Sequence, residues 1–196
     1  MRRFWYLGLA AVFFLAACSS SGGVDAASSK SLAPIRPAMR WDHRPEAADW
    51  TASTLAALRT HGAVLATVEP ADIDRWCPAY RGAGPEDRRA FWAGLLSALA
   101  KHESTWNPQA VGGGGRWIGL VQIDPRTARG YRCTAQSTAA LKDGTANLSC
   151  AVRIAASQVP KGDTVAQGMR DWGPFYSSKK RAEMSAWTRQ QAYCAG

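Results

Sequence analysis

The chain has 196 residues, 46% of them hydrophobic, and carries 24 Lys and Arg against 15 Asp and Glu, a formal net charge of +9. That length fits one domain, or one domain with a tail, and the ordinary apolar fraction excludes wholesale disorder. The one long apolar run, Phe4–Ala17, is too short to span a bilayer comfortably, which excludes a polytopic membrane protein. Three dispersed histidines (His43, His61, His102) and no CxxC pair exclude the common zinc signatures, so neither a metal nor a cofactor is expected.

Met1-Arg2-Arg3 and the apolar run form the charged and hydrophobic regions of a secretory signal over residues 1–17. Leu15-Ala16-Ala17-Cys18 resembles a bacterial lipobox, in which small residues precede a cysteine that is lipidated and becomes the new N-terminus. The resemblance implies a lipid on Cys18, with each buried methylene contributing about 0.8 kcal/mol to membrane anchoring. Ser19, in place of an aspartate, implies sorting to the outer membrane, facing the periplasm. Residues 18–44 are rich in serine, glycine, alanine and proline, which bury too little surface to offset chain entropy. They read as a flexible tether, with a folded domain over residues 45–196. An exported basic chain fits an acidic wall polymer or an anionic membrane surface better than nucleic acid. A monomer is expected.

The mature part reads as mainly α. Ala47–His61 has apolar residues at Trp50, Leu55 and Leu58 and a stop at Gly62. Ala63–Val68 is ambiguous, and residues 70–78 suggest one or two helical turns closed by Pro78. Pro85, followed by Glu86 and Asp87, opens a strongly apolar helix that runs to about Glu103 and is stopped by Asn107-Pro108. A glycine-rich loop, Gly112–Gly115, and a short apolar stretch, Gly119–Ile123, follow. Thr127–Tyr131 predicts a helical turn, Asn147–Gln158 a second apolar helix and Ser178–Arg189 a last one. No strand alternation is present. Trp50, Trp76, Trp92 and Trp187 are expected in the core.

Besides Cys18, four cysteines remain, and an even number in an exported chain suggests two disulfides. Three pairings are possible. The favoured one joins Cys133 to Cys150 in a local loop and Cys77 to Cys194 across the domain. A catalytic cysteine is disfavoured because none has a plausible base beside it.

Phe91, Leu95 and Leu99 repeat every four residues, and the next position in that series is Glu103. Its carboxyl therefore continues an apolar stripe. Lost hydration and the negative pole at the helix end both disfavour the anion and raise the pKa, as a general acid requires. The alternatives are a glutamate paired with an arginine, or a frayed helix end in solvent.

Glu103-Ser104-Thr105-Trp106-Asn107-Pro108-Gln109-Ala110 and Gly119-Leu120-Val121-Gln122-Ile123-Asp124-Pro125-Arg126-Thr127-Ala128 resemble the SLT-type lytic transglycosylases of the goose-type lysozyme superfamily. The family runs E-S-x-x-N-P-x-A, then a glycine-containing loop, then G-L-x-Q-I-x-P-x-T-A. The likeness covers about Phe91–Tyr176, with weaker echoes at Leu141, Asp143, Asn147 and Leu148. It implies a lysozyme-like helical fold and a peptidoglycan glycan substrate. In that family the glutamate is the sole acid/base, so Glu103 would protonate the oxygen between N-acetylmuramic acid and N-acetylglucosamine. As a base it would then draw the C6 hydroxyl onto C1, leaving a 1,6-anhydro end. Ser104 would orient the acid or, as a helix-terminal serine, satisfy backbone. Gln122 would contact sugar or line the cleft floor, with a plain structural amide as the alternative. Gly119 would let backbone approach the substrate. Trp117 and Trp172 are candidate stacking platforms.

Two departures stand out. Gly112 occupies a frequent serine position, and Arg170–Tyr176 replaces a segment that usually holds a tyrosine near the acid, leaving Trp172 or Tyr176 in its place. Two other readings stay open. One is a hydrolytic muramidase with a second acid among Asp124, Asp143 and Asp171. The other is a non-catalytic wall-binding scaffold.

Overall fold

The computed structural model describes residues 36–195. The expected signal segment, the lipidation site Cys18 and the tether as far as Ile35 lie outside the described residues. In chain order come α1 (Ala47–Arg59), α2 (Ile73–Trp76), α3 (Pro85–Ser104), β1 (Val111–Gly112), β2 (Trp117–Ile118), α4 (Pro125–Gly130), α5 (Thr138–Leu141), α6 (Gly144–Gln158), α7 (Val165–Gly168), α8 (Ser178–Arg189) and α9 (Ala192–Ala195). Short 3-10 turns join several of them.

Helix α3 is the axis. Every residue from Ala90 to Ala100 is buried, so this stretch is apolar all round, as expected of a helix surrounded by others. Pro85 starts it with a preset φ, and Glu86 and Asp87 meet the positive pole of the dipole. Helices α1, α8 and α9 pack around α3, and α1 also packs on α6. Trp41, Trp50, Trp76 and Trp92 are buried, whereas Trp187 is only partly buried, under the Arg40 guanidinium.

Five of the shorter or later helices are set by a side chain at their first turn. Asp124, Ser137, Asp143, Thr164 and Ser177 each accept a backbone N–H from α4, α5, α6, α7 and α8 respectively. Such a cap contributes about 1 kcal/mol, which matters for four-residue helices that could not nucleate alone. The two favoured disulfides are present, Cys77–Cys194 across 117 residues and Cys133–Cys150 across 17.

Several boundaries differ from the sequence expectation. Packing onto the helical domain includes residues ahead of 45. Met39 and Trp41 are buried, and Trp41 meets Trp50 edge-on at 5.9 Å while its indole N–H donates to the Thr51 hydroxyl. Helix α1 stops at Arg59, two residues early, because Thr60 leaves the helical region and turns its hydroxyl back onto the Ala56 carbonyl. Helix α6 begins at Gly144 because the Asp143 carboxylate caps it. Helices α5, α7 and α9 and the two-residue ribbon were not foreseen.

Candidate active site

Glu103 sits one residue from the end of α3, four positions after the buried Leu99, where its register demanded. The backbone there turns abruptly. Thr105 and Trp106 both take positive φ, +53° and +57°. Two bonds hold this strained turn: the Trp106 amide donates to Ala100 O at 3.2 Å, and its indole N–H to Ser97 O at 2.9 Å. The carboxyl of Glu103 is thereby fixed at the wall of a cavity of about 410 Å³, facing Trp117, Gln122, Asp171, Trp172 and Lys180, with His102 beside it. Among the described residues no side chain hydrogen-bonds or ion-pairs with it. Burial pushes its pKa up from 4.5 to about 7, against a smaller opposing pull from the Lys180 charge.

The loop facing Glu103 is built on Asn147, which is fully buried. Its amide donates to Ile118 O at 2.9 Å and Leu141 O at 3.0 Å, and its carbonyl accepts the Val121 N–H at 3.0 Å. Ser104 ties the helix end to this loop by donating to Leu120 O at 2.8 Å. Its hydroxyl thus serves backbone, the second of the two expectations for it, and Ser104 does not line the cavity. Gly119 has a packing role of its own. With φ at +81°, a Cβ there would lie 2.3 Å from Leu141 O and 2.5 Å from Asn147 Nδ2. Glycine is required by the loop's own packing, and no substrate approach is needed to account for it.

Gln122 does reach the cavity. Its side-chain amide donates to Gly119 O at 2.9 Å, and its Oε1 occupies the space where a Cβ on Gly112 would sit, 2.5 Å away. Glycine at 112, where the family often has serine, makes room for that amide. Trp117, on β2, is 46% exposed and forms the open wall of the cavity. Trp172 forms the closed wall. It is 4% exposed, and its indole N–H donates to Val121 O at 2.9 Å. Tyr176 is 69% exposed and absent from the cavity lining, so of the two aromatic candidates only Trp172 stands near the acid.

The three other acids separate by their partners. Asp124 caps α4 and pairs with Arg126 at 3.1 Å, which holds its pKa below the usual range. Asp143 caps α6, bonded to the Thr145 hydroxyl and the Ala146 N–H, and its pKa is lowered likewise. Only Asp171 shares the cavity with Glu103, and it accepts the Tyr131 hydroxyl at 3.0 Å. Beyond Trp117 and Trp172 the groove continues into a smaller cleft of about 80 Å³ lined by Asp171 and Thr127.

Two lining residues went unread in the sequence, Lys180 and His102. His102 Nε2 lies 2.8 Å from a Glu183 oxygen. Glu183 also accepts from Lys101 at 2.7 Å and from both ends of the Arg40 guanidinium. No local pattern announces either position, because both depend on α8 folding back against the end of α3.

No curated protein matches the chain. Among solved structures, a glutamate-to-glutamine mutant of Bd0314 DslA superposes with a TM-score of 0.73 at 25% identity, covering 81% of this chain and 98% of that one. The wild-type form 2 of Bd0314 DslA gives 0.72, 25%, 81% and 98%. The family described as the transglycosylase SLT domain matches residues 83–187, from just before α3 through most of α8. That match takes in the helix that carries Glu103, the loop built on Asn147 and the Trp172 wall, and it spans more than half of the sequence: the chain belongs to the transglycosylase SLT domain family.

Proposed function

We propose that this protein is a peptidoglycan lytic transglycosylase that cleaves the β-1,4 bond between N-acetylmuramic acid and N-acetylglucosamine and leaves a 1,6-anhydro end. The observation that carries the reading is the Glu103 carboxyl, half-buried, unpaired and holding its proton to about pH 7, in a groove between two tryptophans. Such a group donates its proton to the glycosidic oxygen as the bond breaks. The resulting carboxylate takes the proton of the muramic C6 hydroxyl while that oxygen closes on C1. The proton returns to Glu103, and no water enters the products. Trp117 offers an apolar face for a sugar ring, and Gln122 offers an amide edge fixed by Gly119 and Ala110. Lipid on Cys18 holds the domain at the outer membrane, facing the wall.

A second reading, hydrolysis, is favoured by one observation: Asp171 lines the same cavity and could activate water. Mass analysis of the products released from purified peptidoglycan separates the two. Anhydro ends from the wild type, with none from Glu103→Gln and most retained in Asp171→Asn, support the transglycosylase. Reducing ends, lost in Asp171→Asn, support the hydrolase. Turnover by Glu103→Gln comparable to wild type removes Glu103 from either mechanism. For the anchor, Cys18→Ala should move the protein from the detergent phase to the aqueous phase on Triton partition.

A further inference from the structure

The first turn of α8 carries Lys179, Lys180 and Arg181 and no acidic residue, a run of cations at the positive pole of a helix. Arg181 regains a partner, donating to Phe175 O at 2.6 Å. Lys180 has none. Its backbone N–H takes the Ser177 cap, but no carboxylate among the described residues lies within ion-pair distance of its ammonium. Lys180 instead lines the cavity that holds Glu103, close enough for its charge to pull on that carboxyl.

No carboxylate of the cavity pairs with it directly. Glu103 carries its proton when it is ready to act, and the His102 ring is engaged by Glu183. Asp171, the other acid of the cavity, accepts the Tyr131 hydroxyl and forms no ion pair with Lys180. The ammonium thus stands without a direct anionic partner beside the proton donor. The sugars of the strand are neutral. Its anionic groups are carboxylates on the muramyl side, either the lactyl carboxyl freed when the stem peptide is gone or the carboxyls of the stem itself.

We propose that Lys180 is a specificity residue whose ammonium receives a muramyl-side carboxylate of the strand bound in the Glu103 cavity. This rests on the glycan reading above. A charge-assisted bond of this kind favours strands that carry the carboxylate over strands in which it is masked. Because lysine acts as a point charge, arginine at the position should preserve much of the effect.

The test offers the enzyme two kinds of strand, one bearing stem peptides and one stripped by an amidase. Each is prepared with its carboxyls free or converted to amides. The wild type should prefer free over amidated carboxyls by about tenfold in kcat/KM, chiefly through KM. K180Q should lose that preference and K180R should keep most of it. The strand on which the preference appears identifies the source, stripped strands the lactyl carboxyl and stem-bearing strands the peptide. A preference that survives in K180Q, or a K180Q loss equal on free and amidated strands, overturns the proposal. Calorimetric binding of the same strands to E103Q reads the preference without cleavage. Preferential binding with no cleavage by the wild type would sink the catalytic reading alone. Cleavage with no preference would sink the Lys180 reading alone.

Discussion

Replacing Glu103 with glutamine should stabilise the protein at alkaline pH and leave its stability unchanged at acid pH. The carboxyl ordinarily ionises near 4.5, and burial pushes it up to about 7. Below 4.5 both folded and unfolded chains hold the proton, and the site costs nothing. As the pH rises from there to about 7, the unfolded chain ionises freely while the folded chain must keep the proton or bury the charge. The wild type therefore loses stability across that window and regains none above it. At 1.36 kcal/mol per pKa unit the full penalty is about 3 kcal/mol. Solvent reaches one edge of the carboxyl through the cavity, so about 2 kcal/mol is the amount to seek. Glutamine keeps the shape and cannot ionise. In a domain of this size 1 kcal/mol moves Tm by about 2–4 °C. The variant should then melt about 4–8 °C above wild type near pH 8.5 and within about 1 °C of it near pH 4.5. Calorimetric or fluorescence melts of both proteins across that range give the curve directly. A Tm difference that stays constant with pH, or a variant less stable at alkaline pH, refutes the claim that this carboxyl is held against apolar surroundings.

Gly119→Ala should cost about 2–4 kcal/mol, because a Cβ would lie 2.3 Å from Leu141 O at a positive φ; the urea midpoint should fall with its slope unchanged. Alanine at both Cys77 and Cys194 should cost about 4–5 kcal/mol, against about 3 for Cys133 and Cys150, since the first pair closes much the longer loop. Equilibrium unfolding of the two double variants ranks them. Glu183→Gln should cost about 1 kcal/mol after allowance for solvent screening, because it strips Arg40, Lys101 and His102 of one shared acceptor. The Glu183 pKa lies well below the usual range, mainly through Arg40, so its contribution is present at neutral pH and fades as pH falls below about 4.5. The freed cations would also lower the Glu103 pKa, and the alkaline limb of the pH–rate profile should move toward acid by about half a unit.

The position of Glu103 was legible because it needed only helix register. Phe91, Leu95 and Leu99 point one way, and the fourth step lands on an acid. The disulfides were legible because Cys133 and Cys150 are close in sequence and the remaining pair follows. What stayed hidden involved tertiary partners. Ser104 and Gly119 lie in the motif, but the atoms they face, Leu120 O, Leu141 O and Asn147, are brought near only by the folded loop. Asp124 and Asp143 read as candidate acids, yet each is followed by a helix start, Pro125 or Gly144-Thr145, a local cap signal that explains both. The short helices α5 and α7 contain too few residues to show a period. The burial of Met39 and Trp41 was not legible because they are isolated apolar residues in a polar, proline-bearing stretch, and only the folded core, with Trp41 against Trp50 and Thr51, shows it.

An acid at the end of a helix keeps its proton near neutral pH when most nearby cations are held by other anions. At Glu103 only Lys180 pulls the other way, and burial outweighs it. Lys101 and His102 immediately precede Glu103, and the Arg40 guanidinium reaches the same Glu183 that they do. Any of them on the Glu103 carboxyl would favour its anion and end its use as a proton donor near neutral pH. Glu183 takes all three. It stands on α8 with its two oxygens shared among the guanidinium, the ammonium and the imidazole, and its own pKa falls in consequence. Two glutamates near the end of one helix are thereby driven in opposite directions, one by cations and one by apolar walls, which is how a single residue type supplies both an anion and an acid. The segment that brings Arg40 is the one that precedes α1, so residues ahead of the first helix contribute, through Glu183, to the electrostatics of the site.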